Sequence, residues 1–261
     1  MQKAKEIALQ TCSQGMTFDR VKSYNSTKGT LTGYDCPKCH NKGNFMTVVD
    51  GEEIIRTCEC MGKRRMLKVI HDSGLATVLG QYTFQNFIAS EDWQKRVKQK
   101  ALDYISDSSG KWFYIGGQVG AGKTHICTAI VGRFIKAGYN AKYMMWRDEI
   151  VKLKAMRNSE DFDNLIAEYK RIKVLYIDDM FKTEQGKQPT QSDIDIAFEI
   201  INYRYMHKDL ITIFSCEKKV GELLDIDEAV GSRIYERTRE YNIPIGRDRS
   251  RNYRLRSINN D

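Results

Sequence analysis

Apolar positions in this chain follow two regimes. Around residues 46–56 they are sparse and alternate, in Met46-Thr47-Val48-Val49 and Glu53-Ile54-Ile55-Arg56, with Asp50-Gly51 between the runs. Period-two alternation broken by Asp-Gly predicts a β-hairpin. From Met61 to His71 the pattern turns helical and basic, with Lys63, Arg64, Arg65 and Lys68. Beyond about residue 80, short apolar runs alternate with amphipathic stretches. Trp112-Phe113-Tyr114-Ile115, Ala141–Met145, the run 173–177 and Ile211–Ser215 read as buried strands. Helical spacing predicts helices over 92–105, from 126 to a stop at Gly138, over 147–156 and 160–170, through Ile194–Tyr205, and across Gly231–Arg237. Strands alternating with helices specify a parallel α/β sheet covered on both faces, with ligands bound at the strand ends. Gly74 and Gly80 punctuate the change of regime and place the boundary within 72–80, giving a lobe over 1–75 and an α/β domain over 76–261. Residues 1 to about 30 are polar, with a weak helical pattern and no readable chemistry.

The first apolar strand of the large domain runs into Gly117-Gln118-Val119-Gly120-Ala121-Gly122-Lys123-Thr124, which fits the phosphate-binding P-loop pattern G-x-x-x-x-G-K-[ST] without mismatch. Its glycines let successive backbone N–H groups converge on phosphate oxygens. Lys123 then reaches the β- and γ-phosphates, and the Thr124 hydroxyl ligates Mg²⁺. Strand, loop and helix arrive in the order the mechanism requires, so the domain is expected to bind ATP and ADP. About fifty residues on, the apolar run 173–177 ends in Asp178-Asp179. Paired carboxylates at a strand end form a Walker B arrangement: Asp178 completes the Mg²⁺ shell and Asp179 orients or deprotonates the attacking water. The edge Ser215-Cys216-Glu217 of the next strand is placed to face the γ-phosphate. Tyr82-Thr83-Phe84-Gln85-Asn86-Phe87, just before the P-loop strand, offers aromatic contacts to the adenine ring. A loop with Gly186 and Pro189 precedes the helix over 194–205.

Seven cysteines in 261 residues add a second chemistry. Cys36-Pro37-Lys38-Cys39 is followed after eighteen residues by Cys58-Glu59-Cys60. Two pairs joined by a hairpin can close a tetrahedral sulfur site around Zn²⁺, with His40 as the substitute fourth ligand. Four thiolates leave no open position, so the metal is expected to be structural. A net charge of +8, with Arg247, Arg249, Arg251, Arg254 and Arg256 around Tyr253 in the tail, is compatible with a polyanionic partner. No run of about 18 apolar residues exists, so no membrane association is expected. The first residues lack the apolar core of a signal peptide, and the expected location is cytoplasmic.

Taken together, Cys36–Cys60, Gly74-Leu75, Tyr82-Thr83-Phe84, the GQVGAGKTH loop ending at His125, the Ile177-Asp178-Asp179 strand end, Ile201-Asn202-Tyr203-Arg204-Tyr205 and Gly231-Ser232-Arg233 resemble the AAA+ helicase-loader family typified by DnaC and DnaI, with the transposition ATPase IstB as a relative. The resemblance covers about residues 36–256. It implies a nucleotide site from Gly117 to His125 and a DNA-replication role. In that role the N-terminal lobe grips a DnaB-type replicative helicase, while the AAA+ domain binds ATP and single-stranded DNA and turns ATP over weakly, stimulated by that DNA. It also implies self-assembly through AAA+ domains, with an arginine from the neighbouring protomer completing the site. Arg237 matches the family's finger position better, and Arg233 sits in the more recognisable Gly-Ser-Arg stretch. The family's sensor strand usually ends in Ser-Asn, and this chain departs from it at Cys216. Two other classes share the P-loop. A transposition ATPase would not be expected to carry the cysteine lobe, and a metabolic kinase would need an acceptor pocket and lid that no stretch suggests.

Overall fold

Asp50 and Gly51 both adopt positive φ, 53° and 86°. That is the backbone a two-residue hairpin turn requires, and it reverses β1 (Asn44–Val49) onto β2 (Glu52–Thr57) with Asn44 opposite Thr57 and Val49 opposite Glu52. The structure, a computed structural model, describes residues 18–184 and 187–255. The polar start up to residue 17, Gly186 and Arg256 lie outside the described residues. Two compact units divide between Lys68 and Val69.

In the first unit, a helix over 18–26 (α1) and the hairpin precede α2 (Cys60–Asp72). No residue of either strand is fully buried. The buried cluster consists of Cys36, Cys39, Cys58 and Cys60, with Tyr34 and Phe45 packed against it. A lobe with so small an apolar interior needs a staple to hold its shape.

The second unit is a five-stranded parallel sheet in the order β4-β5-β6-β3-β7: β3 (Phe113–Gly117), β4 (Ala141–Met145), β5 (Val174–Asp178), β6 (Ile211–Cys216) and β7 (Asn242–Ile245). Its helices are α3 (Asp92–Ser106), α4 (Lys123–Lys136), α5 (Trp146–Ala155), α6 (Glu160–Arg171), α7 (Gln191–Met206) and α8 (Glu228–Thr238). Every residue of β3, β5 and β6 is buried, as their unbroken apolar runs require. The sequence pattern did not reveal β7, a four-residue edge strand interrupted by Pro244. Proline is tolerated there because only one side of an edge strand needs its N–H groups. The units divide inside α2 rather than at the glycines beyond it. Residues just past the helix already belong to the sheet domain: Leu75 is buried, and Ser73 O accepts the Tyr143 N–H at 2.8 Å.

Because β3 lies between β6 and β7 while β4 and β5 extend the other way, the carboxyl ends of β3, β5 and β6 converge. Ligands bind at such a switch point in open α/β sheets. Arg204 on α7 fixes the far end. Fully buried, it donates to Thr212 Oγ1 and to the carbonyls of Tyr169, Lys170, Ile172 and Ile211, at 2.6–3.2 Å.

Candidate nucleotide site and cysteine centre

The segment 245–252 leaves no room for a Cβ at two glycines of the loop between β3 and α4. A Cβ on Gly117 would lie 2.0 Å from Ile245 O, and one on Gly120 would lie 1.9 Å from Asn252 Oδ1; both residues also have positive φ. The segment after β7 therefore presses on the loop. Gln118 N–H donates to Ile245 O, and Tyr253 N–H donates to Gly120 O at 3.0 Å. Lys123 is buried, with Nζ donating to Gly117 O at 3.0 Å and Gln118 O at 2.8 Å. Burial pulls its pKa below the ordinary lysine value, opposed by the carboxylates of Asp179 and Glu217. Thr124 Oγ1 stands 3.3 Å from both carboxylate oxygens of Asp178. Asp178 also accepts from Tyr143 OH at 2.8 Å and from the Ser215 hydroxyl. A carboxylate held by three hydroxyls at the mouth of the P-loop suits a hard divalent cation, and Thr124 and Asp178 are the residues that would hold Mg²⁺.

Asp179 follows with φ of 52°, its N–H donating to Ser215 Oγ at 3.3 Å. Its carboxylate turns into a cavity of about 310 Å³ shared with Gly120, Gly122, Lys123, Thr124, His125, Lys182 and Glu217. Tyr82, Asn86 and Phe87 form the other wall. His125 ties that wall to the loop. Its Nε2–H donates to Thr83 O at 2.8 Å, its ring stacks on Tyr82 at 5.0 Å, and the edge of Phe87 meets it at 5.3 Å. Four further wall residues escape sequence reasoning, Ile88 among them. Lys182 carries no motif, and Tyr253 and Arg254 were read as part of a basic tail. Nothing local distinguishes a tail arginine from a cavity arginine; only the fold-back of residues 246–255 over Gly120 does.

The sensor edge divides its roles. Ser215 is buried behind Asp178, and Cys216 points away, with Sγ against Met180 O at 3.0 Å. Only Glu217 reaches the cavity. Neither α8 arginine lines it. Arg237, 9% exposed, donates Nη1–H to Gly110 O and lies over the Trp112 ring, with Nε and Nη2 buried and unpartnered among the described residues. Burial lowers its pKa from the usual arginine value. Arg233 is half-buried. It donates Nε–H to Asn202 Oδ1 at 3.1 Å and Nη1–H to Ala229 O at 2.7 Å, above the ring of Phe198.

In the first unit, the Sγ atoms of Cys36, Cys39, Cys58 and Cys60 all lie within 4.8 Å of one another; Cys36–Cys58 is 3.7 Å and Cys39–Cys60 is 3.5 Å. Tetrahedral zinc with bonds of about 2.3 Å separates its sulfurs by about 3.8 Å. The donor set therefore fits Zn²⁺, which would act as the lobe's staple. Burial alone would raise the Cys39 pKa, but the Gly43 N–H at 3.3 Å and the neighbouring thiols bring it down to about 6, while burial pushes Cys60 up to about 12. His40, the substitute ligand, is exposed and outside the cluster.

A shallow groove of about 240 Å³ lies between α3 and the edge strand β7. Trp93, Arg96 and Lys100 share one face of α3 along it, and Arg251 lies over the Trp93 ring at 5.6 Å, with Asp248 beside it at 3.7 Å. No carboxylate lines this groove among the described residues.

These features have counterparts in known proteins. The chain is 31% identical over 240 residues to the phage-like element PBSX protein XkdC of Bacillus subtilis (strain 168), covering 86% of this chain and 88% of that protein. Its fold is similar to the crystal structure of DnaI, with a TM-score of 0.54 and 22% identity over 66% of this chain and 93% of that one. It is similar also to the DnaC helicase loader, with a TM-score of 0.54 and 18% identity over 65% and 98%. At these identities the two structures establish the fold. Residues 44–238 match the family described as IstB-like ATP binding protein. With a complete P-loop, a Walker B acid pair and a parallel sheet in this order, the chain belongs to that IstB-like ATP-binding family and has the AAA+ fold of DnaI and DnaC.

Proposed function

We propose that this chain is an ATP-dependent loader of a DnaB-type replicative helicase onto single-stranded DNA. The observation that carries this reading is the pairing of a complete nucleotide cleft with a separate four-cysteine lobe whose interior is essentially its sulfur cluster. Such a lobe is built to present a surface. Ile55 is 55% exposed on its hairpin, beside Ile54, and offers an apolar contact for a protein partner. The basic α3–β7 groove supports a nucleic-acid partner for the ATPase unit. Within the cleft, Lys123 neutralises phosphate charge, Thr124 and Asp178 hold Mg²⁺, and Asp179 orients water for a slow turnover that single-stranded DNA accelerates. Self-assembly through the ATPase units completes the site.

The test is co-purification with the host replicative helicase, followed by helicase transfer onto circular single-stranded DNA. Stable capture, ATP-dependent transfer and loss of both on removing the cysteine lobe's ligands are expected. Failure to capture the helicase in any nucleotide state rejects the reading. The match to IstB-like proteins favours one alternative, an ATPase assisting DNA transposition. Duplex rather than single-stranded DNA would then stimulate turnover, and the helicase would not be retained.

A further inference from the structure

Where the resemblance leads one to expect a polar sensor at the end of β6, this chain has Cys216, turned away from the cleft. What reaches the cavity instead is a cation three residues past the second Walker B acid. Lys182 Nζ lies 2.7 Å from Asp179 Oδ2 and 2.8 Å from Glu217 Oε1. The backbone makes this return possible: Asp179 and Phe181 both have positive φ, 52° and 58°, in residues other than glycine. The turn after β5 therefore doubles back and sets Lys182 over Asp179.

We propose that Lys182 senses the γ-phosphate of this nucleotide site. With no terminal phosphate present it holds Asp179 and Glu217, and when ATP binds it exchanges both for the terminal phosphate and releases Asp179 to the attacking water.

Three observations support the exchange. Lys182, Asp179 and Glu217 all line the cavity that contains Lys123 and Thr124, so the cation is already where phosphate charge arrives. Lys123 Nζ stands at the loop itself, on the carbonyls of Gly117 and Gln118, so Lys182 is a second cation in the same cavity. The side chains of Lys182, Asp179 and Glu217 are each about one third exposed, at 34%, 32% and 38%. Solvent screens ion pairs of that exposure, and they are easily exchanged for a multiply charged, hydrogen-bonding anion. Burial works against the Lys182 charge, but hydrogen bonds to Asp179 and Glu217 outweigh it and raise its pKa, so an ammonium is present to be exchanged. While Lys182 grips Asp179, that carboxylate is a poor acceptor for a water proton, and the cleft idles until a terminal phosphate draws the cation away.

The inference rests on the reading of this cleft as an ATP site, and the experiment separates the two. Binding of fluorescent ADP and of a non-hydrolysable ATP analogue is measured for the full chain and for Lys182→Ala, Lys182→Arg and Lys123→Ala. Lys182→Ala is expected to lose about tenfold in ATP affinity relative to ADP, the worth of one charge-assisted hydrogen bond, and Lys182→Arg to restore most of that difference. Retained ADP binding shows that the variant is folded. Equal losses for both nucleotides, or none, overturn the sensor role while leaving the ATP site intact. Absence of nucleotide binding in the unsubstituted chain overturns the site reading, and the sensor with it.

Discussion

Arg237 donates Nη1–H to Gly110 O at 2.6 Å and holds its guanidinium 5.3 Å from the centre of the Trp112 ring, fastening α8 to the loop that enters β3. A guanidinium held this way braces the sheet. Arg237→Ala should therefore lower stability by about 2 kcal/mol through the lost charged hydrogen bond alone, read by thermal or urea denaturation. Arg233→Ala should change stability by less than about 1 kcal/mol. If an arginine acts in trans, mixing Arg233→Ala with Lys123→Ala chains should recover turnover, because one mixed interface pairs an intact loop with an intact finger. Recovery only with Arg237→Ala would reverse this assignment.

The three hydroxyls on Asp178 make its replacement instructive. Asp178→Asn keeps hydrogen-bonding capacity toward Tyr143, Thr124 and Ser215 but removes the charge that a divalent ion needs. Nucleotide binding should then lose its Mg²⁺ dependence. Lys123→Ala should weaken ATP binding and abolish turnover with the fold intact. Asp179→Ala should bind ATP yet slow its hydrolysis by about 100-fold or more. Unaltered steady-state rates in all three variants would remove the catalytic assignment.

The cysteine centre predicts one zinc per chain by elemental analysis. Cys36→Ser or Cys60→Ser should release it, and chelation should unfold the first unit while the ATPase unit keeps its own melting transition. Ligation requires thiolates. Burial raises the Cys60 pKa, so this thiol gives up its proton on binding. Zinc uptake should thus release protons, and affinity should fall as pH drops. A pH-indicator titration showing no proton release would contradict thiolate ligation.

What the sequence made legible was local. The P-loop, the acid pair and the Asp50-Gly51 turn each lie within a few consecutive residues, and backbone geometry alone dictates them. The cysteine pairs were readable because metal-ligand spacing and a hairpin between them bring the ends together. The cavity's remaining wall depends on contacts between distant parts of the chain. Lys182 becomes a cleft residue only because Phe181 takes a left-handed backbone conformation that a bulky residue rarely adopts. Tyr253 and Arg254 enter it only because β7, too short, and interrupted by Pro244, to be read as a strand, carries the chain back over the loop. Arg204 enters the sequence reading only within the Ile201–Tyr205 motif of the resemblance, and the fold buries it among backbone carbonyls.

That last residue gives a stability prediction. Arg204 satisfies four carbonyls and a hydroxyl, with no carboxylate partner among the described residues, and burial lowers its pKa to about 9. Arg204→Met fills most of the volume but leaves those carbonyls buried without donors, so it should cost about 3 kcal/mol or more. Arg204→Lys should recover only part, since one ammonium cannot span both α6 and β6. A urea midpoint unchanged in Arg204→Met would show that water replaces the guanidinium.

Contact with single-stranded DNA can be read from one side chain. Of the three tryptophans, Trp112 and Trp146 are 0% and 2% exposed, leaving Trp93 in the α3–β7 groove as the accessible one. Its ring offers a face to an unstacked base, and Arg96, Lys100 and Arg251 offer charge to the phosphates beside it. β7 cannot easily extend its sheet with a peptide strand, because Pro244 lacks an N–H on the open edge. Oligothymidylate should therefore quench tryptophan fluorescence, and its affinity should fall with salt. The slope of log affinity against log salt should be about −0.7 for each phosphate neutralised on a single strand. Arg96→Glu with Lys100→Glu should remove two such contacts, flattening the slope by about 1.4 and weakening binding at least tenfold at low salt. Trp93→Phe should still bind but lose the quench. Binding that is insensitive to salt, or that is equally tight in the charge-reversed variant, would place the DNA elsewhere on the chain.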